Sequence, residues 1–290
     1  MGIHVLKWRN FMPTIELQGK TCFYQDWGKG YPLLLGHSFL WDSAMWQPQI
    51  EELSKNFRCI VPDLWSHGQS DPLNASLTSI EVLADNYWEL MQALKISEFA
   101  IIGLSVGGMW GTVLTLKHSK AVKALVLMDT FVGKEPAPTQ QKYFGLLDFL
   151  EKEKAFTPAL LTQIVPLFFS PVTLSQNPTL VEKFHQKLSM IPPETIDGIV
   201  TLGRAIFSRP CLLEQLENIQ VPTLVVVGQD DIPRPPQEAW EMIERFPNSS
   251  LKIVPEAGHI CNLEKPVEVT SYLSDFLKQH LPVLERLIHL

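Results

Sequence analysis

Short runs rich in Val, Ile and Leu recur along the chain and stop at or near Gly, Asp, Ser or His. They are Pro32–Leu35, Cys59–Val61, Ala100–Leu104, Ala124–Met128, Thr223–Val227 and Leu251–Val254. Runs this short, with little polar alternation, suit strands covered on both faces, as in a parallel sheet. Between them lie segments with apolar residues at helical spacing: Trp46–Leu53, Ile80–Leu94, Gly108–His118, Glu238–Phe246 and Val267–Gln279. Strand and helix alternate, which predicts a mostly parallel, doubly wound α/β sheet. The start differs. Thr14–Leu17 and Thr21–Trp27, separated by Gln18-Gly19-Lys20, read as an antiparallel hairpin on the sheet edge.

The rhythm breaks from about Gly133 to Asn218. No convincing strand occurs there, only helical patches such as Phe144–Lys152, Ala159–Phe168 and Leu180–Leu188, punctuated by proline. This predicts a helical insertion over residues 133–218 between two strands of a core made of 12–132 and 219–282, with 1–11 as an N-terminal extension. Ligands bind at the carboxyl ends of strands in such sheets, so an insertion leaving that end makes a natural lid.

Composition narrows the function classes. With 290 residues, 46% of them hydrophobic, the chain can bury a large core. The net charge is −7, with no block of like charges, and such a surface repels nucleic-acid backbones and anionic lipid. Cys22, Cys59, Cys211 and Cys261 show neither C-x-x-C spacing nor a pairing pattern, which fits a reducing compartment. The N-terminus lacks the apolar stretch of a signal peptide, and no run approaches about 18 apolar residues. A cytoplasmic protein without a membrane span, monomeric or homodimeric, is the expectation. No His/Cys cluster with ligand spacing suggests a metal, and no cofactor is called for.

The sharpest chemical signal is Gly103-Leu-Ser-Val-Gly107, a match to G-x-S-x-G, preceded by an apolar strand and followed by a helical segment. There Ser105 sits on a strained strand-to-helix turn with its hydroxyl exposed, and the Val106 N–H points to where an oxyanion forms. The plain alternative is a helix-capping serine in a Gly-rich turn. A hydroxyl needs a base to become a nucleophile. His259, in V-P-E-A-G-H after the last strand, is the histidine in the right place for the chain order Ser, acid, His. The acid that orients it is sought at the end of Thr223–Val227, where Asp230 and Asp231 are adjacent. Asp231 is the choice, with Asp230 shaping the turn and Asp129 the outside candidate. The loop G-H-S-F-L-W after the strand Pro32–Leu35 offers the Phe39 N–H as second oxyanion donor, braced by His37.

The segments L-L-L-G-H-S-F, V-P-D-L-W-S-H-G-Q-S-D, I-I-G-L-S-V-G-G, V-V-V-G-Q-D-D-I-P-R-P and P-E-A-G-H together resemble the α/β-hydrolase superfamily over about residues 13–280. The resemblance implies the α/β-hydrolase fold with a helical lid, and a Ser-His-Asp triad. The family's G-x-x-D pattern, with proline four residues on, maps onto Gly228, Asp231 and Pro235. Two positions depart from it: Ser38 replaces the Gly of H-G-x, and Ser66 the first Gly of G-H-G. The placement of Trp41, Trp46 and Trp65 is similar to a subgroup of small carboxylesterases and N-acyl-homoserine lactonases. Haloalkane dehalogenases and epoxide hydrolases use Asp as nucleophile, so Ser105 argues against both.

The expected activity is hydrolysis of esters of small or medium apolar acyl groups through an acyl-enzyme. The alternatives are N-acyl-homoserine lactone hydrolysis and a ligand receptor that retains the triad. Carbon–carbon bond hydrolysis and peroxide formation also use this scaffold. The partner is a small-molecule ester or lactone. Trp41, Trp65, Trp110 and Phe131, next to strand ends or the elbow, are candidates to line an apolar pocket, as is Phe39, and the lid carries Phe144, Phe149, Phe168 and Phe169.

Overall fold

The computed structural model describes residues 13–73 and 79–283. The expected 1–11 extension lies outside them. Strands are β1 (Thr14–Leu17), β2 (Lys20–Gly28), β3 (Tyr31–Gly36), β4 (Phe57–Pro62), β5 (Phe99–Leu104), β6 (Val122–Met128), β7 (Thr223–Gly228) and β8 (Ser249–Val254). They form a sheet in the order β1-β2-β4-β3-β5-β6-β7-β8. β1 and β2 pair antiparallel as the edge hairpin, β2 meets β4 antiparallel, and every other pairing is parallel.

Helices of the core are α1 (Gln47–Leu53), α2 (Ile80–Ala93) and α3 (Val106–Lys117). Between β6 and β7 come α4 (Ala137–Glu153), α5 (Pro158–Ile164), α6 (Pro171–Gln176), α7 (Pro178–Ser189) and α8 (Ile196–Phe207), with no strand among the described residues there. α9 (Pro236–Ile243), α10 (Cys261–Glu264) and α11 (Pro266–His280) complete the chain.

Side-chain alternation along the strands sends neighbours to opposite faces, and two buried clusters follow. Leu33, Leu35, Ile102 and Val126 face α1 and α11 through Ile50, Leu53, Val269 and Leu273. Leu34, Ile101, Leu125 and Leu127 face α2, α3 and α9 through Leu83, Leu90, Leu114 and Met242. Because both faces are covered, the central strands read as continuous apolar runs. Among the described residues no helix is long and apolar enough to cross a membrane. All four cysteines are free, and only Cys211 is exposed.

The strand order turns at β3 and β5, which pair directly although β4 lies between them in the chain. Outside the carboxyl ends of two such strands a crevice opens, the favoured ligand position in a doubly wound sheet. Gly36 ends one of these strands, and the other delivers Ser105.

Candidate active site

Ser105 follows β5 without a linking loop and sits at φ +56°, ψ −118°. A side chain there is strained, a feature that clusters at functional sites. The surroundings hold the bend. Ser105 N–H donates to the Met128 carbonyl at 2.8 Å, and the Thr130 hydroxyl donates to the Ser105 carbonyl at 2.6 Å. Glycine on either side permits it: a Cβ on Gly103 would lie 2.3 Å from the Gly107 carbonyl, and one on Gly107 would lie 2.3 Å from the Gly36 carbonyl oxygen. The Ser105 side chain makes no capping bond to α3, so the helix-cap reading of this serine does not hold. Its Oγ lies 2.9 Å from His259 Nε2.

His259 Nδ1 faces Asp231, 3.1 Å from Oδ1 and 3.0 Å from Oδ2. A proton on Nδ1 satisfies the carboxylate and leaves Nε2 to accept from the serine hydroxyl. Asp231 Oδ1 also accepts the Arg234 N–H at 2.9 Å, which fixes the carboxylate's rotation. All three side chains are buried. Asp230 shapes the turn through its N–H to the Ala257 carbonyl. Asp129, the outside candidate for the acid, spends its oxygens on backbone donors instead of the imidazole. Its oxygens accept the N–H groups of Gly228 at 2.8 Å and Cys261 at 3.3 Å, and burial, reinforced by nearby Asp231, pushes its carboxyl well above the usual range.

Val106 is the first residue of α3, where backbone N–H groups lack intrahelical acceptors. Phe39 lies in the loop opposite, and two buried histidines pin that loop on either side of it. His37 Nδ1 donates to the Ser38 carbonyl at 2.8 Å while Nε2 accepts the Leu64 N–H at 2.8 Å. His67 Nδ1 donates to the Trp65 carbonyl at 2.9 Å while Nε2 accepts the Leu40 N–H at 3.0 Å. Sequence reasoning found the first brace and missed the second. Each imidazole must be neutral to accept an N–H. Burial pushes His37 down to about 4 and His67 to about 3, the latter with help from the His37 charge. Ser38, where the family has glycine, is buried and lines the cavity, and its hydroxyl has no partner among the described residues.

These buried imidazoles set an acid limit on stability. Above pH ~6.5 they are neutral in folded and unfolded chains alike, and their contribution is fully present. As pH falls toward about 4 and about 3, the unfolded chain takes up protons that the folded one refuses, so stability is lost. Asp63 opposes this in part. Burial raises it to about 6, so the folded chain binds its proton first. Glu238, raised to about 7, and Asp129, raised well above its usual range, oppose it in the same sense, so the imidazole contribution is read by difference. His67→Gln keeps an acceptor near Nε2 but does not titrate, and between pH 7 and pH 5 its urea midpoint should fall less, or rise more, than that of the parent.

A cavity of about 80 Å³ opens at Ser105, lined by Ser38, Phe39, Met109, Leu147, Phe168 and Phe207 among others, with His259 in its wall. Of the five aromatics expected there from sequence, Phe39 is in this lining, and Trp41, Trp65, Trp110 and Phe131 lie outside it. Trp110 is fully buried beside Tyr87, at 4.4 Å between ring centroids, on the α2 side of the sheet. The Trp65 indole N–H donates to Asn86 Oδ1 at 2.9 Å on the same side. Phe131 packs in that cluster too, under Gly133. Trp41 stacks flat on Phe184 of α7, 4.3 Å apart at 2°, one layer behind the cavity wall. Of Phe144, Phe149, Phe168 and Phe169, Phe168 reaches the lining, its ring centroid 5.5 Å from that of His259, and Phe156 and Phe207 of the insertion join it there.

The insertion is stitched to the core at several points. Lys187 of α7 pairs with Asp42 beside the Phe39 loop. Buried Glu135 accepts from Arg209 Nη1 at 2.8 Å and from Arg234 Nη2 at 2.6 Å, so one carboxylate joins both ends of the insertion to the Asp231 loop. Burial raises the neighbouring Glu238 to about 7. No group of three or more His, Cys, Asp or Glu side chains positioned to hold a metal ion occurs among the described residues.

A family model for the alpha/beta hydrolase fold matches residues 31–266. The 3-oxoadipate enol-lactonase 1 of Acinetobacter baylyi is 26% identical over 267 residues, covering 90% of this chain and 94% of that protein. Among solved structures, a thermophilic esterase from Thermogutta terrifontis superposes with a TM-score of 0.84 at 29% identity, covering 93% of this chain and 97% of that one. Est816, described as an N-acyl homoserine lactone degrading enzyme, shares the fold with a TM-score of 0.76 at 24% identity, over 91% of this chain and 100% of its own.

Proposed function

The chain belongs to the α/β hydrolase family, and from that premise we propose that it hydrolyses carboxylic esters of small or medium apolar acyl groups through a Ser105 acyl-enzyme. The observation that carries the proposal is the unbroken relay from the Ser105 hydroxyl through the His259 imidazole to the Asp231 carboxylate. His259 Nε2 takes the hydroxyl proton as Oγ attacks the carbonyl carbon, and Asp231 stabilises the imidazolium that forms. The Phe39 and Val106 N–H groups receive the oxyanion, each contributing about 3–4 kcal/mol when well aimed. The imidazolium then protonates the leaving alkoxide. Water enters by the same route and frees the acid, with no cofactor taking part.

Substrate size follows from the cavity. At about 80 Å³ it is small and walled mainly by apolar side chains. A short acyl chain fits against Phe168 and Leu147, and a longer one requires the insertion to move. We assign residues 133–218 as a cap over a core of 12–132 and 219–282.

Lactone opening is the second reading, favoured by the enol-lactonase relative and the lactone-degrading structural neighbour. A lactone is an internal ester, and the same relay opens it. The two are separated by comparing turnover of p-nitrophenyl butyrate with that of hexanoyl-homoserine lactone, alongside labelling by a fluorophosphonate. Ester turnover at least about 100-fold above that of the lactone supports the first reading, and the reverse ratio supports the second. A chain that is not labelled and turns over neither substrate is not a serine hydrolase. A ligand-binding receptor would then be the better account.

A further inference from the structure

We propose that Glu264 is a positioning residue, holding the His259 loop and the insertion in one register so that the imidazole is aimed at Ser105 while the segment Phe168–Ser170 is docked; this rests on the hydrolytic reading above.

Two residues after His259 the chain turns into α10, with the N–H groups of Leu263 and Glu264 both donating to the Ile260 carbonyl, at 2.9 and 3.1 Å. The tight turn brings the Glu264 side chain back over the loop that carries the imidazole. Its Oε1 accepts the Gly258 N–H at 2.7 Å, on the peptide immediately before His259. Its Oε2 accepts the Ser170 N–H of the insertion at 2.9 Å. The two backbones touch there: a Cβ on Gly258 would lie 2.7 Å from the Phe169 carbonyl carbon and the Ser170 nitrogen. Phe168, two residues back, lies against the imidazole and lines the cavity. One side chain thus fixes the base and the apolar wall beside it. Two N–H donors need two acceptors, and a carboxylate supplies two with no donor of its own. Glutamine of the same length supplies one acceptor and turns an NH2 toward the other N–H.

The test uses the full chain with Glu264→Gln and Glu264→Ala. Rates are expressed per active site titrated with a fluorophosphonate, so that loss of folded protein is divided out. The expected result is a fall in kcat of about 10-fold for Glu264→Gln and more for Glu264→Ala, with KM within about threefold, because a small misplacement of the base acts on the chemical step. The rate constant of fluorophosphonate labelling should fall by the same factor, since it also requires the imidazole aimed at Oγ. Glu264→Gln is nearly isosteric and carries the test if the alanine variant does not fold. A lower Tm with unchanged kcat and labelling rate per titrated site overturns the clamp alone and leaves the hydrolase reading intact. A wild-type chain that is neither labelled nor active overturns both.

Discussion

Ser105→Ala is expected to lower kcat on any ester this chain accepts by about 10⁶-fold while leaving the fold in place. The scale is that of losing the nucleophile from an assembled triad, where the remaining groups still retain about 10³–10⁴-fold over water through oxyanion stabilisation and binding. The fold survives for local reasons. Among the described residues the hydroxyl caps no helix, and the side chain it bonds is the imidazole. Alanine carries the same Cβ into the same φ of +56°, so the strain of the bend is unchanged. Circular dichroism and Tm check the fold, and fluorophosphonate labelling checks the nucleophile. A variant that is labelled as fast as the parent, or retains a tenth of its turnover, removes Ser105 from the chemistry.

Asp231→Asn is expected to cost about 10⁴-fold in kcat, about 5 kcal/mol of transition-state stabilisation. The structure supplies the reason for so large an effect from an isosteric change. The Arg234 N–H at Oδ1 demands an acceptor and retains the amide oxygen on its side. The amide NH2 is then left where Oδ2 stands, 3.0 Å from His259 Nδ1. With this donor at 3.0 Å competing against the oxygen at 3.1 Å, the tautomer with a lone pair on Nδ1 and its proton on Nε2 is favoured, which cannot take a proton from Ser105, and the imidazolium loses the negative charge beside it. KM should move little, because the substrate does not touch this carboxylate. Activity within tenfold of the parent would mean that the acid lies elsewhere. Asp129→Asn in the same assay distinguishes that case.

Much of this was legible in the chain itself. G-L-S-V-G follows a strand whose apolar run has no alternation, and that pairing of motif with context defines the elbow. Asp231 and His259 were reachable because each ends or follows a strand in the expected order. The pocket was legible only at Phe39 and Phe168. Trp65 and Trp110 sit close to the site along the chain, but which side of the sheet a side chain faces is decided by packing, and both turn toward α2. α8 escaped notice because I-D-G-I-V-T-L-G-R-A-I-F carries β-branched residues and two glycines, a poor helix by propensity. Those glycines are what tertiary contact requires: a Cβ on Gly203 would lie 2.7 Å from Leu147 and 3.1 Å from Phe39. Glu264 and Glu135 were hidden for another reason. The insertion partner of Glu264 lies 94 residues away and the partners of Glu135 lie 74 and 99 away, and local spacing cannot report such pairings.

The shared carboxylate of Glu135 also governs how the gene can be cut. Transplanting a foreign helical segment is an obvious route to new specificity, and the splice points decide its fate. Junctions placed after Glu135 and before Arg209 leave the three-way ion pair whole, whichever helices are exchanged. A graft that replaces Glu135 but keeps Arg209 strands the buried Arg209 charge, a defect that costs about 3–5 kcal/mol, a large share of a domain's stability.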